Sequence, residues 1–226
     1  MYVEFKRIKN IDLGLVVTGY ELRCRSEERM DIIQVEGRSG SIVDRYGTFA
    51  SYKKTIEFAN LRPENFSRVN KWLSGRGKLR TSADPNGFYY ADVVDVLTRE
   101  QIGECYHYIK VDFLVEPFFY LDSGTLKSKY EAQVTLYNVG SIASDPVITV
   151  HGNGDGNIYV NQQVIKIKGM EERLTIDSRL MICHKDNLPA GRKMEGPYPV
   201  FSEGENKVSW DGGVTMLEIT PRWREI

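Results

Sequence analysis

Short runs of alternating apolar and polar residues recur along the whole chain, and this pattern constrains the fold more than any other feature. In the first half the alternation is clearest in Leu15 to Cys24, Ile32 to Val35 and Lys53 to Phe58. Successive side chains of a β-strand point to opposite faces of its sheet, so the alternation predicts strands. Two further strands are predicted at Phe88 to Val96 and Tyr106 to Val115. We therefore expect a mainly β protein.

One segment has helical spacing instead. Phe66, Val69, Trp72 and Leu73 lie three or four residues apart and would share one face of a helix. The sequence therefore predicts an α-helix from about Pro63 to Leu73.

The second half differs from the first in having short apolar runs separated by turns about every eight to twelve residues, which is typical of an antiparallel β-sandwich. Pro117 ends the preceding strand, and the polar stretch Asp122 to Tyr130 follows it. We therefore predict two domains: residues 1–125, rich in β-strands with one α-helix, and residues 126–226, an antiparallel β-sandwich. The strands predicted after residue 131 are Gln133–Asn138, Val147–Gly152, Ile158–Val160, Val164–Ile167, Leu174–Ile176, Val208–Trp210 and Met216–Ile219.

The charge balance argues against partners that are held by bulk electrostatics. The 226 residues carry a formal net charge of -1, whereas proteins bound to DNA or anionic membranes through charge carry clustered lysine and arginine. No run approaches the roughly 18 consecutive apolar residues of a membrane span. The start, MYVEFKRIKN, lacks the apolar segment of a secretory signal. We expect no sequence-specific nucleic acid and no membrane as partner, and synthesis in a cytoplasm.

Two groups of residues suggest chemistry but lack its context. The glycines of HGNGDGN, His151 to Asn157, are followed by a strand and not by the helix of a nucleotide-binding loop, so we expect a turn between strands. Cys105 with His107, and Cys183 with His184, offer zinc ligands without the spacing of a zinc site. We therefore expect no metal and no cofactor. No nucleophile with a base and no carboxylate pair stands out, so no catalytic residue is assigned and an enzyme is not expected.

The last third of the chain contains an ordered series of strand and turn motifs. These motifs are Ile176 to Met181, Gly196-Pro197-Tyr198-Pro199, Gly204-Glu205-Asn206, Val208-Ser209-Trp210 and Ile219 to Trp223. In their order and spacing they resemble the C-terminal, galectin-like domain of the distal tail proteins (Dit) of long-tailed bacteriophages and prophages. The first half is similar to that family in register through VEGRSGSIVDRYGTFASYKKTIEF, PENFSRVNKWLSGRGKL and TSADPNGFYYADVVDV.

The resemblance implies a structural protein of a siphovirus tail. Its N-terminal domain would form a homo-oligomeric, hexameric ring at the tail tip, and the galectin-like domain would point outward. The ring would join the tail tube protein to the tail-associated hub protein and would carry the receptor-binding protein or baseplate components for host adsorption. The chain would be made in the bacterial host cytoplasm, from a virion or prophage genome, and would reside at the tip of the virion tail.

Two other functions remain open at this point. The galectin-like domain could itself be a cell-wall carbohydrate-binding module of a phage tail or tailocin, with Trp223 and His151 as possible saccharide contacts. Trp223 is expected to be exposed, because it lies between Arg222 and Arg224. The second domain has no insertion that could hold an added carbohydrate-binding module. A cell-wall hydrolase is the third possibility, and no catalytic constellation favours it.

An extended arm is predicted between Ile32 and Phe58. The strands IIQV and KTIEF would form its hairpin, because the stretch between them is too long and too rich in glycine for a two-residue turn. That stretch still carries apolar side chains, which an isolated arm would leave in water. We expect a neighbouring subunit of a ring to cover them. The predicted interface residues are Ile42, Val43, Tyr46, Phe49 and Tyr52.

Overall fold

The structure is a computed structural model that describes residues 1–102 and 106–226. It divides into two compact units, Met1–Phe119 together with Ile226, and Tyr120–Glu225. Antiparallel strands build both units, and the predicted fold class is confirmed. The predicted division at residue 125 into independently folding domains stays a prediction. No helix within the described ranges is both long and apolar enough to span a membrane.

The first unit is built on a sheet in which seven strands follow the order β2-β1-β7-β8-β9-β6-β3. A two-stranded sheet, β4 with β5, stands apart from it. The strands of this unit are β1 (Val3–Phe5), β2 (Ile8–Lys9), β3 (Val16–Tyr20), β4 (Glu28–Gln34), β5 (Ser41–Phe49), β6 (Tyr52–Leu61), β7 (Arg76–Thr81), β8 (Gly87–Ile102) and β9 (Tyr106–Val115).

The core of the first unit follows from the alternation in its central strands. Ile56 and Phe58 of β6 are buried opposite Val111 and Ile109 of β9. The intervening residues of β6 are more exposed, as expected of a sheet with one covered face.

The predicted helix is present but shorter than expected. A 3-10 turn, Pro63–Asn65, precedes the α-helix α1 (Phe66–Trp72). Val69 and Trp72 are its buried residues. The Trp72 indole Nε1 donates a hydrogen bond of 2.9 Å to the carbonyl of Phe5, which fixes the helix against β1.

The predicted pairing of the arm is wrong. The structure pairs β4 with the nearer strand β5, through Ile32 opposite Val43 and Ile33 opposite Ile42. The segment KTIEF lies in β6 and pairs with β9 in the main sheet instead. The chain reverses between Gln34 and Ser41, where Gly37 and Gly40 adopt positive φ angles. Those glycines allow the chain to reverse within the stretch that was predicted to be a longer loop.

The second unit is organised around three long strands, β13, β14 and β18. The order of its sheet is β11-β18-β13-β14-β15-β16, with β12 added to β18 and β17 added to β14. Its strands are β10 (Phe119–Leu121, whose first residue ends the first unit), β11 (Ser128–Tyr130), β12 (Val134–Asn138), β13 (Val147–Val160), β14 (Gln163–Asp177), β15 (Ile182–Lys185), β16 (Leu188–Pro189), β17 (Met194–Glu195), β18 (Gly204–Thr220) and β19 (Arg224–Glu225).

Six of the seven strands predicted after residue 131 are parts of the longer strands β13, β14 and β18, and the seventh is β12. Val147–Gly152 and Ile158–Val160 belong to one strand, β13, whose register shifts at Gly152 and again before Gly156 where it pairs with β18. The expectation of a turn within HGNGDGN is therefore wrong, because the strand bends there through bulges and continues. Residues from both halves of β13, such as Val150 and Ile158, lie in one core. The sheet thus folds over to enclose that core.

Glycine is required at these bends because two backbones meet there. A Cβ on Gly152 would lie 1.9 Å from the carbonyl oxygen of Gly213 in β18. A Cβ on Gly213 would lie 1.8 Å from the carbonyl oxygen of Asn153. Neither position has room for a side chain.

Candidate functional site

The two-stranded sheet β4–β5 forms an arm, defined here as residues 28–49. A backbone hydrogen bond of 2.8 Å from the Ala50 N–H to the Glu27 carbonyl closes its base. At its other end, the Arg38 N–H donates to the Val35 carbonyl at 3.1 Å. A two-stranded sheet alone is at best marginally stable in water.

The arm leaves apolar side chains uncovered on both of its faces. Ile32 and Val43, which lie opposite each other, are 66% and 46% exposed. On the other face, Ile33 and Ile42 are 47% and 39% exposed. Because exposed apolar clusters often lie at interaction surfaces, the arm is a candidate for one.

The two faces differ in charge. Asp31 and Asp44 lie directly opposite each other on the face that carries Ile33 and Ile42. Tyr46 projects from the same face and donates its hydroxyl hydrogen bond to Asp31, which raises the pKa of Tyr46. Within the described ranges neither aspartate forms an ion pair. Like charges placed directly across a strand pair destabilise it, so this face favours a cationic partner.

The chain leading into the arm is held firmly to the main sheet. The buried ammonium of Lys54 donates to the carbonyls of Glu21 and Leu22, at 2.5 and 3.2 Å. Burial lowers the pKa of this lysine. Ser26 donates its hydroxyl hydrogen bond to the Pro117 carbonyl at 2.7 Å. The exposed arm therefore extends from an anchored base.

The five predicted interface residues divide between the arm and its base. Ile42, Val43 and Tyr46 lie on β5 with 39%, 46% and 54% exposure. Phe49 ends β5, is half-buried and packs edge-on against the Phe118 ring at 5.8 Å. Tyr52 begins β6 and is half-buried in the main sheet, with its ring 6.2 Å from that of Tyr89. Their role in an interface stays a prediction.

The apolar residues of β4 are further interface candidates that the sequence-based prediction did not include. Met30, Ile32 and Ile33 are all exposed. The adjacent residues Ile32 and Ile33 could have indicated this exposure. Neighbouring residues of a strand face opposite sides, so both cannot enter one core.

The possible saccharide contact His151 lies in a charged cluster of the second unit. Its Nε2 is 3.7 Å from an Oε1 of Glu218, a carboxylate that also pairs with Lys127 at 2.7 Å and Lys129 at 3.3 Å. The hydrogen bond from Lys127 is the main reason that the pKa of Glu218 is lowered. These four side chains offer no Trp, Tyr or Phe ring on which a sugar could stack.

Trp223 is not the exposed residue that was expected. It is 6% exposed and lies in the hydrophobic core, with its ring 5.6 Å from that of Phe201. A buried indole presents no face to a sugar, so the structure does not bring Trp223 and His151 together as a binding surface. Trp210 is partly buried against the same core.

The cysteine and histidine candidates do not converge within the described residues. Cys183 and His184 are adjacent on β15, and Cys183 enters the core, where burial raises the pKa of its thiol to about 11. His107 lies in the first unit with its ring 5.0 Å from that of Phe66. Cys105 lies outside the described residues. No group of three or more metal-ligating side chains forms among the residues that the structure describes.

Comparison with solved structures identifies the fold. The crystal structure of the SPP1 Dit protein (gp 19.1), presented as a paradigm of the hub adsorption apparatus in phages that infect Gram-positive bacteria, is similar to this chain with a TM-score of 0.74. The match covers 96% of this chain and 97% of that one, at 12% sequence identity. This chain has the Dit fold.

The expected resemblance to the distal tail proteins is supported by this likeness in fold. No protein-family model matches the chain, and no curated protein matches it. At 12% identity the likeness to SPP1 Dit concerns the path of the backbone over both units.

Proposed function

We propose that this chain is a distal tail protein, a structural component at the tip of a long, non-contractile phage tail. Its first unit forms a hexameric ring, which joins the tail tube to the tail-associated hub protein and to the receptor-binding or baseplate components. The chain acts by assembly, and no bond is made or broken. Its location is the tip of a virion tail, and its gene belongs to a phage or prophage genome.

The observation that carries this proposal is the Dit fold over nearly the whole chain, with a TM-score of 0.74 and 96% coverage. The composition agrees with it, because the net charge of -1 gives no bulk attraction to nucleic acid. The burial of Trp223 removes the one indole on which the saccharide-binding alternative depended.

The arm supplies a physical reason for assembly. Burying one apolar side chain of the size of Ile or Val stabilises a complex by about 1.5–3 kcal/mol before the entropy of association is subtracted. Ile32, Ile33, Ile42 and Val43 are all exposed on the free arm. Since each subunit of a ring presents both an arm and the surface that receives one, such contacts close head to tail.

Shortening the arm tests the proposal. Met30 and Arg45 lie opposite each other near the arm base, so replacing residues 31–44 by Asn-Gly leaves a closed hairpin. The native protein should form rings in electron micrographs at high concentration or with its tail-tube and hub partners. We expect the shortened protein to stay monomeric in sedimentation velocity while its circular dichroism keeps the β-sheet signal.

The matched control replaces exposed apolar residues of the second unit, Leu180→Ser with Met181→Ser, which are 60% and 71% exposed. This variant should still form rings. Rings formed by the shortened protein would show that the arm is dispensable. A native protein that stays monomeric under every condition, including with its partners, would refute the ring itself.

A further inference from the structure

A groove beside helix α1 offers chemistry complementary to one face of the arm. We define the acidic face of the arm as Asp31, Ile33, Ile42, Asp44 and Tyr46. These residues share one side of the β4–β5 sheet, because Asp31 lies opposite Asp44 and Ile33 opposite Ile42. The acidic face thus combines exposed apolar side chains with two carboxylates, which form no ion pair among the described residues.

The receiving surface is defined as the basic groove, lined by Lys6, Ile8, Leu13, Arg68, Lys71 and Trp72. Asp12 and Ser74 complete its lining, and the volume of the groove is about 780 Å³. Leu13 and Trp72 form a buried apolar floor, and Ile8 is 40% exposed. Three cations line the groove against one carboxylate, Asp12, which accepts a 3.1 Å hydrogen bond from the Lys9 N–H.

The turn at the edge of the groove has an unusual backbone. Phe5 lies opposite Ile8, so the reversal between β1 and β2 contains only Lys6 and Arg7. Both adopt left-handed conformations, with φ angles of 53° and 66°. Asn and Gly are the residues that normally occupy such turns. Two cationic side chains in this backbone are an observed strain that calls for a functional reason.

We propose that the basic groove of one subunit receives the acidic face of the arm of a neighbouring copy. Cations of the groove then neutralise Asp31 and Asp44, and the apolar floor covers Ile33 and Ile42. The exposure of those side chains shows that the arm does not pack its acidic face on its own chain. The inference rests on the proposed ring and names the contact that closes it.

The composition of the groove favours a protein occupant over nucleic acid. Its floor is apolar and its lining includes the carboxylate of Asp12, whereas phosphate-binding surfaces are dominated by positive charge. The acidic face carries the matching combination of carboxylate and apolar groups. Complementary charges of this kind set the register and specificity of a contact.

Charge reversal provides a reciprocal test. One variant carries Asp31→Lys with Asp44→Lys, and the other carries Arg68→Glu with Lys71→Glu. Alone, each variant places like charges in every contact, and we expect the concentration needed for assembly to rise by at least about tenfold. In an equal mixture the two variants can alternate around a ring. The arm that carries Asp31→Lys and Asp44→Lys then meets the groove that carries Arg68→Glu and Lys71→Glu. At the next contact the native arm of the second variant meets the native groove of the first. The mixture should therefore regain assembly in sedimentation velocity, in rings with an even number of subunits.

The controls repeat both charge changes on exposed residues of the second unit. Glu203→Lys with Glu205→Lys, and Lys166→Glu with Lys207→Glu, should assemble as the native protein does. The reversed arm should remain folded, because a Lys–Lys pair replaces an Asp–Asp pair of equal repulsion.

Four outcomes would overturn the inference. If the reversed variants assemble like the native protein, or if their mixture does not assemble, the groove is not the receptor, although a native ring would keep the proposed function intact. If the native protein forms no ring, the ring and the inference fall together. If native protein binds duplex DNA and Arg68→Glu with Lys71→Glu loses that binding while still assembling, the groove belongs to nucleic acid.

Discussion

At the residue scale, Asp177 and Arg222 form a paired contact that holds the end of β14 in the second unit. The two Arg222 amino groups donate to both carboxylate oxygens, at 2.6 and 2.8 Å, and the Leu180 N–H adds a third bond at 3.1 Å. Burial alone would raise the pKa of Asp177, but these hydrogen bonds outweigh it and hold the pKa below its usual range. The charged form is therefore the one that stabilises the fold.

This pair predicts a specific dependence of stability on pH. Because the folded pKa of Asp177 lies below the unfolded value of about 3.9, its contribution is present above that pH and is lost as pH falls through the folded pKa. Asp177→Asn should lower the free energy of unfolding by about 2 kcal/mol at neutral pH. Urea titrations should show this difference shrink in acid. A difference that stays constant with pH would assign the effect to something other than ionisation.

The exposed pair Arg173 with Asp186 is the natural comparison. Its side chains are 55% and 49% exposed, and such pairs contribute about 0–1 kcal/mol. Arg173→Met should therefore change the free energy of unfolding much less than Arg222→Met does. Equal losses would mean that burial is not what gives the Asp177 pair its strength.

The bend in the long strands gives a second prediction at this scale. Gly213→Ala would place a Cβ 1.8 Å from a carbonyl oxygen, and no flexible side chain can move away to admit it. We expect the second unit to lose at least about 3 kcal/mol of stability or to fail to fold. Gly191→Ala meets nothing within 4 Å and should be neutral. Thermal unfolding of both variants checks the contrast, and a stable Gly213→Ala protein would contradict the close approach.

Trp223 shows what residue-level reading of the sequence could not supply. Two flanking arginines suggested exposure, yet Arg222 pairs with Asp177, and Arg224 pairs with Asp145 at 2.5 Å. Both partners are distant in sequence, so no local pattern reveals that the arginines are satisfied beside the core. Trp223, which lies between the two arginines, therefore packs in that core.

At the scale of elements, the arm should be the least protected part of the first unit. Among the described strands, those of the arm pair with each other and with no other strand. Because the apolar side chains of the arm are also exposed, opening the arm costs little free energy. Amide hydrogens of Ile32 and Val43 should exchange much faster than those of Ile56 in β6 when the protein is monomeric. In assembled protein the exchange of the arm should slow by at least about tenfold. Unchanged exchange on assembly would exclude the arm from the contact.

The positions of most elements could be predicted from the sequence, but their pairing could not. Alternation predicted β9 at Tyr106–Val115, and helical spacing predicted α1, because each depends on local periodicity. The partner of β4 is decided by the reversal at Gly37 and Gly40, and apolar residues on both faces leave no alternation to fix a partner. The glycines of HGNGDGN were predicted to form a turn but lie in a bulged strand. Glycine is common in both bulges and turns, so its presence alone does not distinguish them.

At the scale of the whole molecule, we predict that the second unit folds on its own. It has its own core of sixteen buried residues, including Ile148, Val160, Phe201 and Leu217. We expect a fragment of residues 120–226 to be folded and to unfold cooperatively, with a single transition in urea that is the same by fluorescence and by circular dichroism. A fragment that lacks a cooperative transition would show that the chain is one folding unit.

The glycines that meet across β13 and β18 have a consequence for how such chains diverge. A clash between two side chains can be relieved by a compensating replacement. At Gly152 and Gly213 the obstacle is the main chain of the neighbouring strand, which no replacement removes. Selection can therefore accept almost no change at these two positions. We expect relatives too distant for sequence searches to retain this glycine pair, at the separation set by the bent sheet, after the rest of the sequence has drifted.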